Sequence, residues 1–490
     1  MAGIIPDPLY FYLLAPGYVL SGRHFIGINL NMLMINLACL SIVAWIAARH
    51  GRISPGIGVG PALTLYVWRT DALLVNAWNP NAILWPTAAT LMPGASAARG
   101  SGAALAGLVL AASFIAQTHI AALPFAFVAA AVASMAWLAD WPLRPRRDNW
   151  RWLTMAGAMS IGAWLLPAYD EWTREPGNLT LILRFFAHDG GGPTQDIGLS
   201  AHVWAQVLTA PLRTAIHNTG SGVMTATSSE AVIWIAAAEL AALALGARLL
   251  WTRDRLIAWL GVLCFIGSLV ALLSIVKIRG DITDYAVLWI STIGAMNAAA
   301  ILSSVGALIG ASAVRPSSDR LFQHAAPAWL STLTPLTLIA VLSLPIVTAT
   351  GIGIAGLMRE RAAAVDAGGR SPIGDLSDTL ANALVRVRAT RTRVGIDGVW
   401  GEAAGIVLQL YKRGVRVGVD PVHVIMFDGL AYRGDRDYEV WIVHRRIGDL
   451  LLARDGGCIL TNRHDVSIFL PPASVKRGVC DLVLPSAPVE

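Results

Sequence analysis

Ten separated apolar runs, each about as long as a helix that crosses a bilayer, leave one architecture open to this chain, a polytopic α-helical membrane protein. They lie at about 26–48, 57–75, 81–96, 102–118, 120–138, 153–168, 231–251, 256–276, 285–313 and 328–357. With 55% hydrophobic and 14% charged residues and a mean hydropathy of +0.59, the chain falls well below the roughly 25% charged residues of a soluble domain. One large soluble core is thereby excluded, and so is a membrane barrel, whose strands alternate apolar and polar residues over segments of about ten. The second run carries Arg69 and Asp71 and is expected to be tilted, broken or open to an aqueous cavity.

A net charge of +6 does not mark a nucleic-acid partner here, because the basic residues stand in short clusters between apolar runs. Arg49 and Arg52, Arg99, the group Arg144, Arg146, Arg147 and Arg151, then Arg253 and Arg255, then Arg315 and Arg320 occupy alternate connections, the signature of the cytoplasmic side. The opposite side receives the Trp78–Asn81 turn, Gln117–His119, the long segment 170–230, the Lys277–Tyr285 connection and everything after about Arg359. That side is read as external, with both termini on it. Nearly all the positive charge is Arg and the chain is rich in Ala, which fits a GC-rich bacterial genome and so a bacterial inner membrane. No P-loop, dinucleotide fingerprint or internal repeat is present, which removes a transporter driven by an NTPase of its own.

From 359 to 490 the composition turns charged, and a small extracytoplasmic α/β domain is expected after the last membrane helix. Leu384–Val394 alternates towards β, Gly401–Lys412 has helical spacing closed by Gly414, and Val422–Phe427 and Tyr438–His444 read as strands. Of the four cysteines, Cys39 and Cys264 lie inside apolar runs. Cys458 and Cys480 share the small domain, in an oxidising compartment where paired thiols persist, so a disulfide between them is expected; two unpaired thiols are the alternative. No C-x-x-C or other metal spacing occurs; no cofactor is expected, and a divalent metal stays open without being indicated.

Several polar residues stand at the external ends of the runs. Asn79, Gln117, His119, Asp170, Glu171 and Asn178 can converge on a hydrophilic pocket at the membrane surface. Each also has a plain structural reading: Asn79-Pro80 starts turns without a ligand, His119 can cap a helix locally, and Asp170 and Glu171 can be solvated loop acids. Lys277 and Arg279, ahead of Tyr285, suit a phosphate at the membrane surface through charge-assisted hydrogen bonds, or else an ion-paired loop with Asp281 and Asp284. Pro8–Pro16 is aromatic-rich and bounded by prolines, as a short helix lying in the interface would be.

That segment, Pro-Leu-Tyr-Phe-Tyr-Leu-Leu at 8–14, resembles one found in bacterial GT-C glycosyltransferase-like membrane proteins, relatives of the mannosyl- and aminoarabinose-transferases that use polyprenyl-phosphate sugars. Trp78-Asn79-Pro80-Asn81 is similar to the family's external Trp-Asn-Pro turn, and Gln117-Thr118-His119 to its Gln-Thr-His turn. Asp170-Glu171-Trp172, followed by Gly177-Asn178-Leu179-Thr180, resembles its long-loop pattern of an acidic pair and then Gly-Asn. The matches run in order over most of residues 8–357, and the C-terminal domain resembles the tail of some members.

The resemblance implies transfer of a hexosyl or pentosyl group from a polyprenyl-phosphate-linked donor to an envelope glycan or lipid acceptor, with the bilayer holding the donor's chain. Asn79, Gln117, His119, Asn178, Lys277, Arg279 and Tyr285 would bind substrate, and Asp7, Asp170 and Glu171 are the acids available as general base. The family's usual base stands in a first external loop after a first membrane helix. Asp7 is the only acid ahead of the interfacial segment, so weak turnover and an upstream helix with an acidic loop are expected. The rival is a non-catalytic envelope protein or transporter-like subunit whose external domain binds a partner.

Overall fold

The computed structural model describes residues 8–22, 24–50, 53–140, 146–173, 177, 179–180, 183, 194–216, 230–278, 282–313, 328–366, 372–386, 389, 391–397, 399–420, 438–463 and 465–475. The chain divides into two compact units, Ile5–Arg359 and Glu360–Glu490.

The first unit is helical: α1 (Pro8–Leu20), α2 (Phe25–Arg49), α3 (Ile53–Arg69), α4 (Leu84–Ala98), α5 (Gly102–Thr118), α6 (Leu123–Ala139), α7 (Arg146–Thr173), α8 (Ile197–Arg213), α9 (Glu230–Leu250), α10 (Arg255–Val276), α11 (Ile290–Ala313) and α12 (Ala328–Asp366). All ten expected apolar runs are helical, and the chain is a multi-pass membrane protein. Six of them, 25–49, 120–139, 230–250, 255–276, 284–309 and 337–359, are long and apolar enough to cross a bilayer. Among the described residues these six meet both criteria. α3, α4 and α5 are only 17, 15 and 17 residues long.

Burial explains how short helices are kept. α4 is buried on every side from Leu84 to Ala95, with Ala88, Ala89, Gly94 and Ala95 letting α2, α5, α6 and α10 approach. A helix apolar all round belongs in the middle of a bundle, and α4 occupies that place. α3 packs along α11, where the fully buried Tyr66 hydroxyl meets the hydroxyls of Ser291 at 2.8 Å and Thr292 at 2.7 Å.

The Arg-bearing connections are joined to one another. Arg99 donates to Nδ1 of His50, so Nε2 carries the proton that Asp254 accepts at 2.8 Å, and Asp254 also caps α10 through the Ile257 amide. Three connections that the charge count assigns to one side are thus in contact.

The segment 170–230, expected as an external loop, is not loop throughout. It contains α8, whose residues Val203–Pro211 are all buried against α9, α10 and α11. Asp196 starts this helix by accepting the Leu199 amide at 2.9 Å, and the Gln195 amide is bonded to the Val276 carbonyl at the end of α10.

The second unit is an α/β domain with a five-stranded sheet in the order β2-β1-β3-β5-β4, where β1 is Thr392–Asp397, β2 Val417–Val419, β3 Tyr438–His444, β4 Cys458–Arg463 and β5 Val466–Leu470. β1 runs parallel to β2 and β3, and β5 antiparallel to β3 and β4. Leu376, Leu380 and Leu384 of α13 (Pro372–Arg386) and Ile406, Val407 and Leu410 of α14 (Trp400–Lys412) share one core with Val394, Ile396, Val440 and Ile442. Gly414 ends α14 at a φ of 76°, a conformation that costs a side-chain-bearing residue about 1–2 kcal/mol. The alternation at Leu384–Val394 misleads. Leu384–Arg386 completes α13, whose buried Leu376, Leu380 and Leu384 recur every four residues, and the strand begins only at Thr392. The expected strand Val422–Phe427 lies outside the described residues.

Cys458 is disulfide-bonded, whereas Cys39 and Cys264 are free thiols; Cys480 lies outside the described residues. We expect non-reducing peptide mapping of the intact protein to link the Cys458 and Cys480 peptides, a bond of the kind that stabilises a small domain by about 2–4 kcal/mol. A free thiol at Cys480 would contradict this.

Candidate functional site

At the end of the bundle opposite the His50–Asp254 contact, short turns bring four distant segments together. After α3 the chain makes a single 3-10 turn, and the Asn76 side chain then accepts the Trp78 amide at 2.8 Å. The Trp78 carbonyl closes the helical turn Asn79–Ala82, with Pro80 at its start. Asn79 donates from Nδ2 to the Thr118 carbonyl at 3.2 Å, across 39 residues of sequence. α5 stops at Thr118 because His119 is extended, at φ −149° and ψ 113°. The Trp78 ring lies 5.7 Å from the Tyr285 ring, and the backbone of Tyr285 and Ala286 is hydrogen-bonded to His119. From α1, the Tyr10 hydroxyl donates to the Ala77 carbonyl and its ring packs edge-on against Phe114 at 6.1 Å.

Two buried polar atoms of this ring have no hydrogen-bond partner. Gln117 donates from Nε2 to the Ala163 carbonyl of α7 at 2.8 Å, which leaves Oε1 unpaired, and Nε2 of His119 is likewise unpaired. Burial pushes the His119 pKa from 6.5 down to about 4 against the opposing backbone hydrogen bonds, so the ring is neutral at pH 7 and one nitrogen is an acceptor. An acceptor amide oxygen and an acceptor imidazole, buried two residues apart in sequence, suit a ligand that carries hydroxyl or N–H donors.

The other expected residues stand differently. Glu171 accepts the amides of Leu179 at 2.8 Å and Thr180 at 3.1 Å and also the Thr180 hydroxyl, which chiefly holds its carboxyl below the usual range. It thereby fixes the turn after α7. Asp170, beside it, is half-buried, and Lys277 is exposed at the end of α10; no hydrogen bond or ion pair joins Glu171 or Lys277 to the ring. Asp7, Asn178 and Arg279 lie outside the described residues. Among the described residues there is no group of three or more His, Cys, Asp or Glu side chains that could hold a metal ion.

A second polar cluster escaped the sequence reading. Glu239 of α9 is 7% exposed, and its Oε2 accepts Nδ2 of Asn297 at 3.3 Å; the same Nδ2 reaches Ser268 Oγ at 3.2 Å. Arg213 at the end of α8 interacts electrostatically with Glu239 without a direct ion pair. The available signal was Glu239 itself, an acid inside an apolar run. Its partners come from three other helices, and local spacing does not reveal them.

No family model and no curated protein matches the chain. Among solved structures, ArnT from Cupriavidus metallidurans bound to undecaprenyl phosphate is similar at a TM-score of 0.50 and 12% identity, over 94% of this chain and 87% of that one. The apo state of the same protein matches at 0.48 and 14%, over 96% and 88%. ArnT is a GT-C glycosyltransferase, and the chain has a GT-C-like fold.

Proposed function

We propose that the protein transfers a sugar from a polyprenyl-phosphate-linked donor to an envelope glycan or lipid acceptor, at the bundle end that carries the Trp78, Gln117–His119 and Tyr285 ring. The observation that carries this reading is the pair of unpaired acceptors, Gln117 Oε1 and His119 Nε2, buried at that end of a GT-C-like fold. A lipid-linked donor keeps its chain in the bilayer while its sugar enters a polar wall, and sugar hydroxyls satisfy such acceptors. The likeness to an ArnT structure bound to undecaprenyl phosphate supports the donor class.

Lys277, with Arg279, is assigned to the donor phosphate, since phosphate at the membrane surface needs cationic partners. Asn79 positions the Thr118 carbonyl and so the His119 turn, and Tyr10 and Tyr285 form aromatic walls. Deprotonating an acceptor hydroxyl needs a carboxylate within reach. Asp170 is assigned that part in preference to Asp7, because it stands at the end of α7, the helix whose Ala163 holds Gln117, and in preference to Glu171, whose oxygens are engaged by the 179–180 turn. The charge distribution supports a bacterial inner membrane with this end and the C-terminal domain outside.

In lipid nanodiscs, undecaprenyl phosphate should raise the Tm and undecaprenol should not. Lys277→Ala should weaken binding of the phosphate roughly tenfold, the loss of one charge-assisted contact. Equal stabilisation by both lipids would contradict the function.

A further inference from the structure

The network around Glu239 is more elaborate than helix packing requires. Ser268 Oγ donates to the Cys264 carbonyl at 2.9 Å and accepts from Asn297, while Trp204 Nε1 of α8 donates to the Ser268 carbonyl at 2.8 Å. Four helices are thereby fixed around one carboxylate. Glu239 is nine residues into α9 and Asn297 seven into α11, roughly 10–14 Å along the helix axes from their first residues. Two acceptor atoms nonetheless remain buried without a partner, Glu239 Oε1 and Asn297 Oδ1. Each such group keeps an uncompensated desolvation penalty when nothing donates to it.

Arg213 supplies the complementary half. Its Nε donates to Thr209 Oγ1 at 2.9 Å and its Nη2 to the Gln206 carbonyl at 2.9 Å, so the guanidinium is aimed by its own helix. Of the roughly five N–H donors of a guanidinium, these bonds use two. Guanidinium and carboxylate sense each other's charge yet do not touch. A group bound between them must accept from the one and donate to the other.

That requirement is selective. A phosphate only accepts and is repelled by the carboxylate; a simple cation is repelled by the guanidinium; an apolar chain satisfies neither. An alcohol hydroxyl does both, and a ring bearing several hydroxyls does so at Arg213, Glu239 and Asn297 together. We propose that Glu239 and Asn297, with Arg213 opposite, form a subsite for the hydroxyls of a lipid-linked carbohydrate and give the protein its preference for the sugar over the bare lipid phosphate. The proposal rests on the donor class assigned above. Its depth among membrane helices favours a sugar tethered to a lipid.

The test uses the full chain in nanodiscs, with undecaprenyl phosphate, bare or carrying glucose, mannose or arabinose, as the probes. The wild type should bind at least one sugar lipid about tenfold more tightly than the bare lipid, about 1.4 kcal/mol. Glu239→Gln and Asn297→Leu should each remove that gain while binding the bare lipid within about twofold of wild type, which also reports that the variants are folded. A wild type that binds bare and glycosylated lipids alike, or variants that keep the gain, would overturn the subsite and leave the general function standing; a water-filled cluster gives that result. A wild type that binds neither lipid would overturn the general function and the subsite with it.

Discussion

Replacing Gly294 by valine should abolish recovery of monodisperse protein. A Cβ at this position would lie 1.7 Å from the Leu208 carbonyl oxygen and 2.8 Å from its carbon, far inside contact distance. Both are backbone atoms of α8, so the clash is relieved only by moving α8 away from α11. That displacement opens the packing of Val203–Pro211 and separates Trp204 from Ser268. Overpacked cores typically lose about 1–3 kcal/mol, and a backbone clash belongs at or beyond the upper end. Gly351→Ala, where nothing stands within 4 Å of the added atom, should express and elute as wild type. Gel filtration of the two variants checks this; a normal profile for Gly294→Val would show that α8 is not held against α11.

Acidification should destabilise the protein through His119. Its ordinary pKa of 6.5 falls to about 4 in the folded protein. Between those values the unfolded chain takes up a proton that the folded one does not, so stability is complete above pH 6.5 and is lost as pH falls towards 4. The full loss, from 6.5 down to about 4, is about 3 kcal/mol at 1.36 kcal/mol per unit of pKa. Melting temperatures between pH 7.5 and pH 4.5 should fall for the wild type and fall less for His119→Gln, which keeps a polar side chain without a titrating ring. Equal slopes for the two proteins would show that His119 is not buried.

Much of the fold was legible because membrane helices announce themselves by composition. Phe25–Arg49 and Arg255–Val276 are continuous apolar stretches, and their ends follow from His50 and Asp254, polar residues that meet in the structure. Asn79, Gln117 and His119 were legible as site candidates because each is polar at the end of an apolar run. Their partners were not: Asn79 bonds a residue 39 positions away and Gln117 one 46 positions away, and no local spacing encodes such pairs. α8 was hidden because its polar neighbours Gln195, Asp196 and Arg213 make the segment read as loop, although its buried face decides its place. Glu239 was hidden within a run whose average is apolar, since one acid barely changes a mean over 21 residues. In Leu384–Arg386 the helix prevailed over the apparent alternation because Leu376, Leu380 and Leu384 bury together.

Photocrosslinking of the intact protein in nanodiscs, with an undecaprenyl phosphate analogue carrying a benzophenone beside its phosphate, locates the lipid head group directly. Adducts should fall on peptides containing Trp78–Asn79, Thr118–His119 and Tyr285, and unlabelled undecaprenyl phosphate should compete them away. Adducts on the His50, Arg99 and Asp254 peptides at the opposite end, or adducts that resist competition, would contradict the placement of the site and the function built on it.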